Sequence, residues 1–551
     1  MGSIPTARSK STEVEGAGMR GPLLALALLL AATHTTSIQA AAPTQAVACT
    51  GLKGVEVAAR EITLPTKGAR VTDASLANDA NGQFCKVLGA IAPVDPAAPS
   101  INFEVNLPAA WNGKALQFGG GGFDGTLVNG LTVERFGAPS DPTPLKKGYA
   151  TFGSDSGHQV KGPGADASFA LNDEALRNFA GDQIKKTYDV AQALIKRRYG
   201  SAARRTYFDG NSQGGHEGMI ALQRWPQAYD GVVAIHPVYN LTLLHLDANH
   251  LAKALYATPG SWISPTKAAL LYQSAIRLCD GLDGAKDGLV STRTACQKAF
   301  TPTTLRCPDG KAGANCLTDA EIATIRTINS EWDLGFPTEA GVRTFARWPI
   351  LEGGDTRTLF SFGTRPTPSR PPEFGKDAFQ AIMGDQTARY VVTRDASFDS
   401  LSFDPAKFRA RILAVSKMQD ANAADITAFE KRGGKLILMH GTVDMSVTPY
   451  NTIAYYERLQ KQYGRPRLDQ FVRFYVVPGF SHGGGPFAIS WSALDALDAW
   501  VEKGQAPKGL IATDTNKATA GRSRPLCEYP AWPKYSRGDI NVAWSFACVT
   551  E

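Results

Sequence analysis

Short apolar segments and longer amphipathic ones alternate over the first part of the chain. Apolar runs separated by turn residues over residues 55–107 predict the early strands of a mixed sheet. Two further apolar segments, residues 114–118 and 148–152, predict strands that each lead into a loop. Over residues 180–198, apolar and small side chains recur at helical spacing with lysines on the other face, which predicts an amphipathic helix.

The same alternation continues around a glycine-rich turn near residue 210 and returns near the C-terminus. The pattern predicts strands at residues 206–208, 232–235, 435–439 and 471–477, and helices at residues 215–225 and 450–463. Strands that alternate with helices in this way indicate an α/β fold with a parallel sheet.

Between these two blocks, residues 239–424 lose the alternation and become polar and rich in Gly and Pro. The segment is too long for a loop within a compact domain, so we interpret it as an inserted lid domain. The predicted organisation is then a core formed by residues 43–238 and 425–551, with the lid between its two parts.

The N-terminal 42 residues are typical of an export signal. Arg20 precedes an apolar run at residues 23–32, and small residues at 40–42 fit a signal-peptidase site. The run is too short for a permanent membrane span, and charge, Gly or Pro interrupts every later apolar run. We therefore expect a secreted or periplasmic protein with no membrane partner.

Charge and cysteine content further limit the class of protein and its partners. The chain has 58 basic and 51 acidic residues among 551, with no long run of either sign and no RNA- or DNA-binding motif, which argues against a nucleic-acid partner. Its eight cysteines fall into local pairs: Cys49 with Cys85, Cys279 with Cys296, Cys307 with Cys316, and Cys527 with Cys548. An even count in an exported chain favours disulfides over free buried thiols, although the sequence leaves the connectivity open.

The turn at residues 210–214 reads Gly-Asn-Ser-Gln-Gly and matches the G-x-S-x-G pattern of a nucleophilic serine. Such a pattern also arises by chance in a chain with 54 glycines. The predicted strand before it and helix after it favour the catalytic interpretation, with Ser212 as the nucleophile.

A serine hydroxyl needs a base, and in this fold class the order along the chain is serine, acid, histidine. Only His440 and His482 follow the inserted region. His440 ends an apolar strand, where local packing is the simpler interpretation, whereas His482 lies in a Gly-rich loop after a strand. Asp444 follows the preceding strand and is the predicted orienting carboxylate, with an ordinary turn aspartate as the alternative.

The tetrahedral intermediate needs two backbone donors for its oxyanion. The first is expected from Gln213, the residue after the nucleophile. The second is expected from the glycine loop at residues 119–122, within which we choose Gly120. A purely structural glycine loop is the competing interpretation.

Several motifs together resemble the tannase and feruloyl esterase family. They include the glycine loop that ends at Gly122-Phe123, the serine turn, His440-Gly441 with Asp444, and Pro478-Gly479 with His482. The resemblance implies an α/β-hydrolase core with a large lid inserted between the strand after the nucleophile and the strand before the acid. It also implies hydrolysis of esters of aromatic acids through an acyl-enzyme.

The resemblance implies a structural Ca²⁺ site in the lid. The matching segment would supply carboxylate oxygens from Asp280, Asp283 and Asp287, and backbone carbonyl oxygens from Ala285 and Leu289. Spacing alone leaves an acidic turn equally open.

One departure concerns the disulfide that many relatives form between cysteines beside the catalytic serine and histidine. Those positions hold Asn211 and Gly483 in this chain.

The sequence thus predicts a secreted serine esterase that acts on a small aromatic ester of the hydroxycinnamic, gallic or terephthalic type. A peptidase or lactonase with the same triad, or a binding protein with a degenerate site, is the alternative. We expect lid residues near Arg347 and Trp348 to select the acyl group. The oligomeric state stays open.

Overall fold

A ten-stranded mixed sheet is the centre of the structure. The computed structural model describes residues 46–160, 165–357 and 361–550. The predicted leader, residues 1–42, lies outside the described residues. The described strands are β1 (Glu56–Val57), β2 (Gly68–Asp79), β3 (Gly82–Ala92), β4 (Ile101–Pro108), β5 (Lys114–Phe118), β6 (Ala150–Ser154), β7 (Arg205–Asn211), β8 (Gly231–Ile235), β9 (Trp332–Asp333), β10 (Thr344–Phe345), β11 (Lys435–Gly441), β12 (Val472–Val477), β13 (Ile489–Ser490), β14 (Ile511–Asp514), β15 (Ser523–Pro525), β16 (Trp532–Tyr535) and β17 (Phe546–Val549).

The sheet combines an antiparallel half with a parallel half. Its strand order is β1-β2-β3-β4-β6-β5-β7-β8-β11-β12. Strands β1 to β4 pair antiparallel, as do β4 and β6, whereas every neighbouring pair from β6 to β12 is parallel. The loops after the parallel strands therefore emerge at one edge of the sheet, where α/β proteins place their ligand sites.

Helices cover the sheet and form the insertion. The described helices are α1 (Asp173–Arg177), α2 (Gln183–Tyr199), α3 (Gln213–Arg224), α4 (Leu241–Tyr256), α5 (Pro265–Cys279), α6 (Arg293–Ala299), α7 (Asp319–Ile328), α8 (Phe379–Gln386), α9 (Arg409–Gln419), α10 (Thr427–Lys431), α11 (Pro449–Tyr463), α12 (Arg465–Leu468) and α13 (Ala493–Lys503). The predicted strands and helices of both core blocks are present, with ends that differ by a few residues.

Burial explains why the parallel strands are nearly uniform in polarity. Every residue of β5, β6 and β8 is buried, because helices cover both faces of this half of the sheet. The outer strand β2 instead mixes buried and exposed positions, as expected for a strand with one face in water. The functional loops therefore project from the rigid, fully buried half.

The segment between β8 and α10 contains helices α4 to α9 and the two-residue strands β9 and β10, which pair only with each other. Its apolar side chains share one core with Phe123, after β5, and with Met445 and Val447, after β11. The insertion therefore packs on loops at the carboxyl ends of the parallel strands. The described residues belong to one compact unit.

Four disulfides join the cysteines in the local pairs that their sequence positions indicate. They are Cys49–Cys85, Cys279–Cys296, Cys307–Cys316 and Cys527–Cys548. Among the described residues, we find no helix with the length and apolar character that a membrane crossing requires.

Candidate active site

Ser212 occupies a strained turn between β7 and α3. Its backbone has φ +61° and ψ −122°, which is unfavourable for a residue other than glycine. A Cβ atom on Gly210 would lie 2.1 Å from the carbonyl oxygen of Gly214. A Cβ atom on Gly214 would in turn lie 2.9 Å from the carbonyl oxygen of Gly120. The glycines of the motif are therefore needed to bring the turn, the helix and the neighbouring loop together.

Three strand ends bring the predicted triad together. Ser212 follows β7, Asp444 follows β11 and His482 follows β12. The Nε2 atom of His482 lies 2.8 Å from the Oγ atom of Ser212, and its Nδ1 atom lies 2.7 Å from Oδ2 of Asp444. A continuous hydrogen-bonded path thus joins the hydroxyl, the imidazole and the carboxylate.

Asp444 is fully buried and held on both oxygens. Its Oδ1 atom accepts hydrogen bonds from the backbone N–H groups of Ser446, at 2.7 Å, and Val447, at 3.0 Å. Burial acts to raise the pKa of this carboxyl, but the charge of His482 and hydrogen bonds from His440 and His482 outweigh it and hold the pKa well below its ordinary value. Asp444 is therefore ionised at neutral pH.

His440 has the local role that its position suggests. Its Nδ1 atom lies 2.8 Å from Oγ1 of Thr452, and its Nε2 atom lies 2.9 Å from the carbonyl oxygen of Val447. The same Nε2 atom is 3.4 Å from Oδ2 of Asp444. His440 therefore supports the carboxylate side of the triad.

A further histidine near the triad, His236, was not found from the sequence. It follows β8 directly, its Nε2 atom lies 4.0 Å from Oδ2 of Asp444, and its Nδ1 atom lies 2.8 Å from Oδ1 of Asn211. Burial holds the pKa of His236 well below its ordinary value. The sequence did contain a clue to this histidine, because it directly follows an apolar strand that lies between the strands leading to Ser212 and Asp444.

The glycine loop lies beside Ser212, but the amide of Gly120 already has an acceptor. The Gly120 N–H donates to Oε2 of Glu217 at 2.9 Å. The next amide, that of Gly121, has no hydrogen-bond acceptor among the described residues. The amide of Gly120, the predicted donor, is thus engaged by Glu217, whereas that of Gly121 is open to a ligand. Gln213 is the first residue of α3, where backbone N–H groups lack partners within the helix.

A buried pair of acids, also missed from the sequence, supports this loop. Oε1 of Glu217 accepts a hydrogen bond from Nε2 of Gln183 at 2.7 Å. A Cβ atom on Gly120 would lie only 1.8 Å from Oδ2 of Asp124. Burial raises the pKa of Glu217 to about 7, and burial together with the charge of Glu217 raises the pKa of Asp124 well above its ordinary value. The loop thus rests on carboxyl groups that favour a protonated form.

A cavity of about 660 Å³ opens beside the triad. Apolar side chains from the glycine loop, α4 and α8 form much of its wall, including Phe123, Leu127, Leu241, Leu244, Phe379 and Met383. Its volume is in the range of small-molecule sites. Polar side chains such as Asn211, Gln213 and Gln380 also line it, so the cavity suits a ligand that is apolar over much of its surface and carries a few polar groups.

Arg347 and Trp348 do not line this cavity, whereas lid residues of α8 such as Phe379 and Met383 do. The guanidinium of Arg347 contacts Glu352 at 2.7 Å and lies 3.8 Å from the ring centre of Tyr450. The indole N–H of Trp348 donates to Asp247 at 2.8 Å. Both side chains are used in the internal packing of the insertion.

The acidic segment of the insertion folds into a tight turn. Oδ1 of Asp280 accepts from the amides of Asp287, at 3.0 Å, and Gly288, at 2.9 Å, while Oδ1 of Asp283 accepts from the amide of Ala285 at 2.9 Å. The buried Oδ2 of Asp283 has no hydrogen-bond partner among the described residues. Burial, with a smaller effect from Asp287 and Asp280, raises the pKa of Asp283 to about 6.

One carboxylate of this segment has a protein partner, since Asp287 forms a buried ion pair with Arg524. The unpartnered oxygen and the mutual repulsion of the acids nevertheless fit a hard cation that prefers oxygen ligands.

A strained serine turn on a parallel sheet, with histidine and aspartate delivered by later strands, defines a hydrolase of the α/β-hydrolase class. The family model for tannase and feruloyl esterase matches residues 85–549. The chain therefore belongs to the tannase and feruloyl esterase family, whose members are carboxylic ester hydrolases, and the protein is an esterase of this family.

Relatives of known name agree with this assignment. The chain is 40% identical over 529 residues to an uncharacterised esterase of Agrobacterium fabrum, covering 93% of this chain and 95% of that protein. It is 32% identical over 520 residues to the mono(2-hydroxyethyl) terephthalate hydrolase of Piscinibacter sakaiensis, covering 85% of each.

A solved structure with the same fold is that of feruloyl esterase B from Aspergillus oryzae. It matches with a TM-score of 0.73 at 23% identity, over 89% of this chain and all of that chain. The predicted α/β-hydrolase fold is confirmed.

Proposed function

We propose that the protein hydrolyses esters of aromatic carboxylic acids through an acyl-enzyme on Ser212. The observation that carries this proposal is the hydrogen-bonded path from Ser212 through His482 to Asp444 at the wall of a largely apolar cavity. The names of two relatives support an aromatic acyl group: the mono(2-hydroxyethyl) terephthalate hydrolase and a protein of Arthroderma benhamiae named as a probable feruloyl esterase, 28% identical over 465 residues.

In the first step, Nε2 of His482 accepts the proton of Ser212 while the serine oxygen attacks the ester carbonyl. Asp444 stabilises the imidazolium that forms and keeps Nδ1 protonated. The amides of Gln213 and Gly121 hold the oxyanion, because neither has an acceptor among the described residues and both residues line the cavity with Ser212. The imidazolium then protonates the departing alcohol.

In the second step, His482 accepts a proton from water, and the resulting hydroxide attacks the acyl carbonyl. The serine oxygen leaves and regains its proton from His482, which releases the aromatic acid. No step needs a group other than water and the side chains and amides of this chain.

An activity panel tests the proposal. The wild-type protein should hydrolyse methyl esters of cinnamic, hydroxycinnamic and benzoic acids, and Ser212→Ala should lower the rate to the level of the uncatalysed reaction. A fluorophosphonate probe should label the wild type but not Ser212→Ala. Preferential cleavage of peptides or lactones, or the absence of labelling in the wild type, would contradict the assignment.

We also propose that the acidic turn binds Ca²⁺ as a structural ion. Carboxylates of Asp280, Asp283 and Asp287, with the carbonyl oxygens of Ala285 and Leu289, would hold it. The support is chemical: a buried Asp283 oxygen lacks a partner among the described residues, and Arg524 pairs with only one of the three clustered acids, Asp287. The ion would stabilise the insertion and take no part in catalysis.

We also propose that the protein is exported from the cytoplasm. Four disulfides and the signal-like N-terminal segment support a periplasmic or secreted location. Fractionation of the native host should place the protein outside the cytoplasm.

A further inference from the structure

A histidine in the wall of the substrate cavity has no hydrogen-bond partner among the described residues. His245 lies on α4 and lines the cavity next to Leu241 and Leu244. Only 5% of its surface is exposed, so nearly all of its ring is removed from bulk water. Its ring centre lies 5.1 Å from that of Phe123, which lines the same cavity.

This lack of a partner distinguishes His245 from the other buried histidines of the described chain. His158 contacts the carbonyl oxygen of Phe123, His216 that of Gln419, His236 the side chain of Asn211, and His440 both Thr452 and Val447, each within 2.6–2.9 Å. Buried polar side chains in folded proteins nearly always have such partners. A ligand group is the simplest partner for a polar side chain that lines a cavity.

The protonation state of the ring indicates which ligand group it can accept. Burial lowers the pKa of His245 to about 3, and the nearby His216 adds to this effect. The imidazole is therefore neutral at neutral pH and offers one N–H donor and one nitrogen acceptor. A hydroxyl can use either of them, whereas a carboxylate buried beside a neutral ring would lack a compensating charge.

Among the described residues, Arg135 is the cation that lines the cavity, and one guanidinium nitrogen of it is bound to the protein. Arg135 donates from its guanidinium to the carbonyl oxygen of Gly119 at 2.8 Å, and its backbone N–H donates to Asp209 at 2.8 Å. It therefore braces the loop beside Ser212. His245, by contrast, shares α4 with the apolar lining residues Leu241 and Leu244, and its ring packs near that of Phe123.

We propose that His245 recognises a hydroxyl group on the aromatic ring of the acyl part of the substrate. The inference rests on the proposed aromatic esterase function and narrows it to phenolic acids. The ring hydroxyl would form one hydrogen bond with the imidazole, while Leu241, Leu244 and Phe123 would contact the aromatic ring of the substrate. An ester without the hydroxyl leaves the buried imidazole unpartnered, which reduces transition-state binding.

The test compares methyl cinnamate with its 3-hydroxy and 4-hydroxy derivatives, which share one skeleton and one leaving group. In the wild type, kcat/KM for at least one hydroxylated ester should exceed that for cinnamate by about 10- to 100-fold. His245→Leu should bring this ratio close to one by lowering only the hydroxylated rate. His245→Gln, which keeps a donor and an acceptor, should retain part of the preference.

Met383→Leu is the matched control, because it changes an apolar residue of the same cavity without changing its polarity. It should keep the wild-type ratio. A ratio that survives in His245→Leu, or a wild type that prefers a terephthalate half-ester over both hydroxylated esters, would overturn the proposal.

A binding measurement separates this proposal from the proposed hydrolysis. With Ser212→Ala, calorimetry should show tighter binding of a hydroxycinnamic acid methyl ester than of methyl cinnamate, and His245→Leu in that background should remove the difference. Hydrolysis without this difference contradicts only the role of His245. The difference without hydrolysis by the wild type contradicts only the catalytic proposal.

Discussion

Replacing Asp444 with asparagine tests the proton path that the proposed mechanism requires. The substitution keeps the shape of the side chain but removes its charge and turns one oxygen into an NH₂ group. In the structure, one carboxylate oxygen accepts hydrogen bonds from the amides of Ser446 and Val447, and the other accepts a hydrogen bond from Nδ1–H of His482. The asparagine can satisfy only one of these two sides with its single oxygen.

The backbone side should retain the oxygen. Turning the NH₂ group toward the amides of Ser446 and Val447 would leave two buried donors without acceptors, at a cost of about 1–3 kcal/mol each. With the oxygen held there, the NH₂ group faces Nδ1 of His482, which must then accept rather than donate. His482 consequently carries its proton on Nε2 and cannot remove the proton of Ser212.

The expected loss in kcat is about 10⁴-fold, or roughly 5.5 kcal/mol of activation free energy. Initial rates with a p-nitrophenyl ester measure it, with Ser212→Ala as the lower limit. The melting temperature and circular dichroism of Asp444→Asn should show that the variant is folded. A folded variant that loses less than about tenfold in kcat would refute the role of Asp444 and the orientation argument.

Three further predictions concern the surroundings of the site. Glu217→Gln removes a buried carboxyl group. Burial raises the pKa of this group from its ordinary 4.5 to about 7, so the folded protein keeps the proton to a higher pH than the unfolded chain does. The contribution of Glu217 to stability is therefore greatest below about pH 4.5 and declines as the pH rises to about 7. Over that interval, calorimetry should show a smaller decline in melting temperature for the variant than for the wild type. Equal slopes would contradict this reasoning. Gly210→Ala places a Cβ atom 2.1 Å from the backbone carbonyl oxygen of Gly214, so the serine turn must move and kcat should fall by about 100-fold or more. Gly483→Ala, where a Cβ would meet nothing within 4 Å, should retain its rate. Removal of Ca²⁺ by EDTA should lower the melting temperature of the wild type by a few degrees and leave its initial rate unchanged. In Asp283→Asn, the melting temperature should be the same with and without EDTA. A wild type whose melting temperature does not respond to EDTA would contradict the calcium proposal.

The parts of the site that follow strand ends could be predicted from sequence. Ser212 lies in a recognisable turn, and Asp444 and His482 follow apolar strands in the order that this fold imposes. Each prediction needed only the local pattern and the rule that loops after parallel strands meet at one edge of the sheet. The structure brings these three residues within hydrogen-bonding distance.

Contacts between distant segments could not be predicted in this way. The choice between Gly120 and Gly121 depends on Glu217, which is 97 residues away and lies on a buried helix face. The sequence could not show that Arg347 and Trp348 pack inside the insertion, because that segment lacks the regular periodicity that reveals which side of an element faces the core. His245 was missed for the same reason.

The absence of the cysteines that many relatives carry beside the serine and histidine has a structural counterpart in this chain. Asn211, at one of those positions, contacts Nδ1 of His236 at 2.8 Å, and the other ring nitrogen of His236 points toward the carboxylate of Asp444. Phe480, two residues before His482, packs with its ring centre 4.7 Å from that of His236. Hydrogen bonding and ring packing through His236 thus connect the serine strand to the histidine loop without a covalent bond. Such a connection can be exchanged or loosened by single substitutions, whereas a disulfide constrains both loops at once.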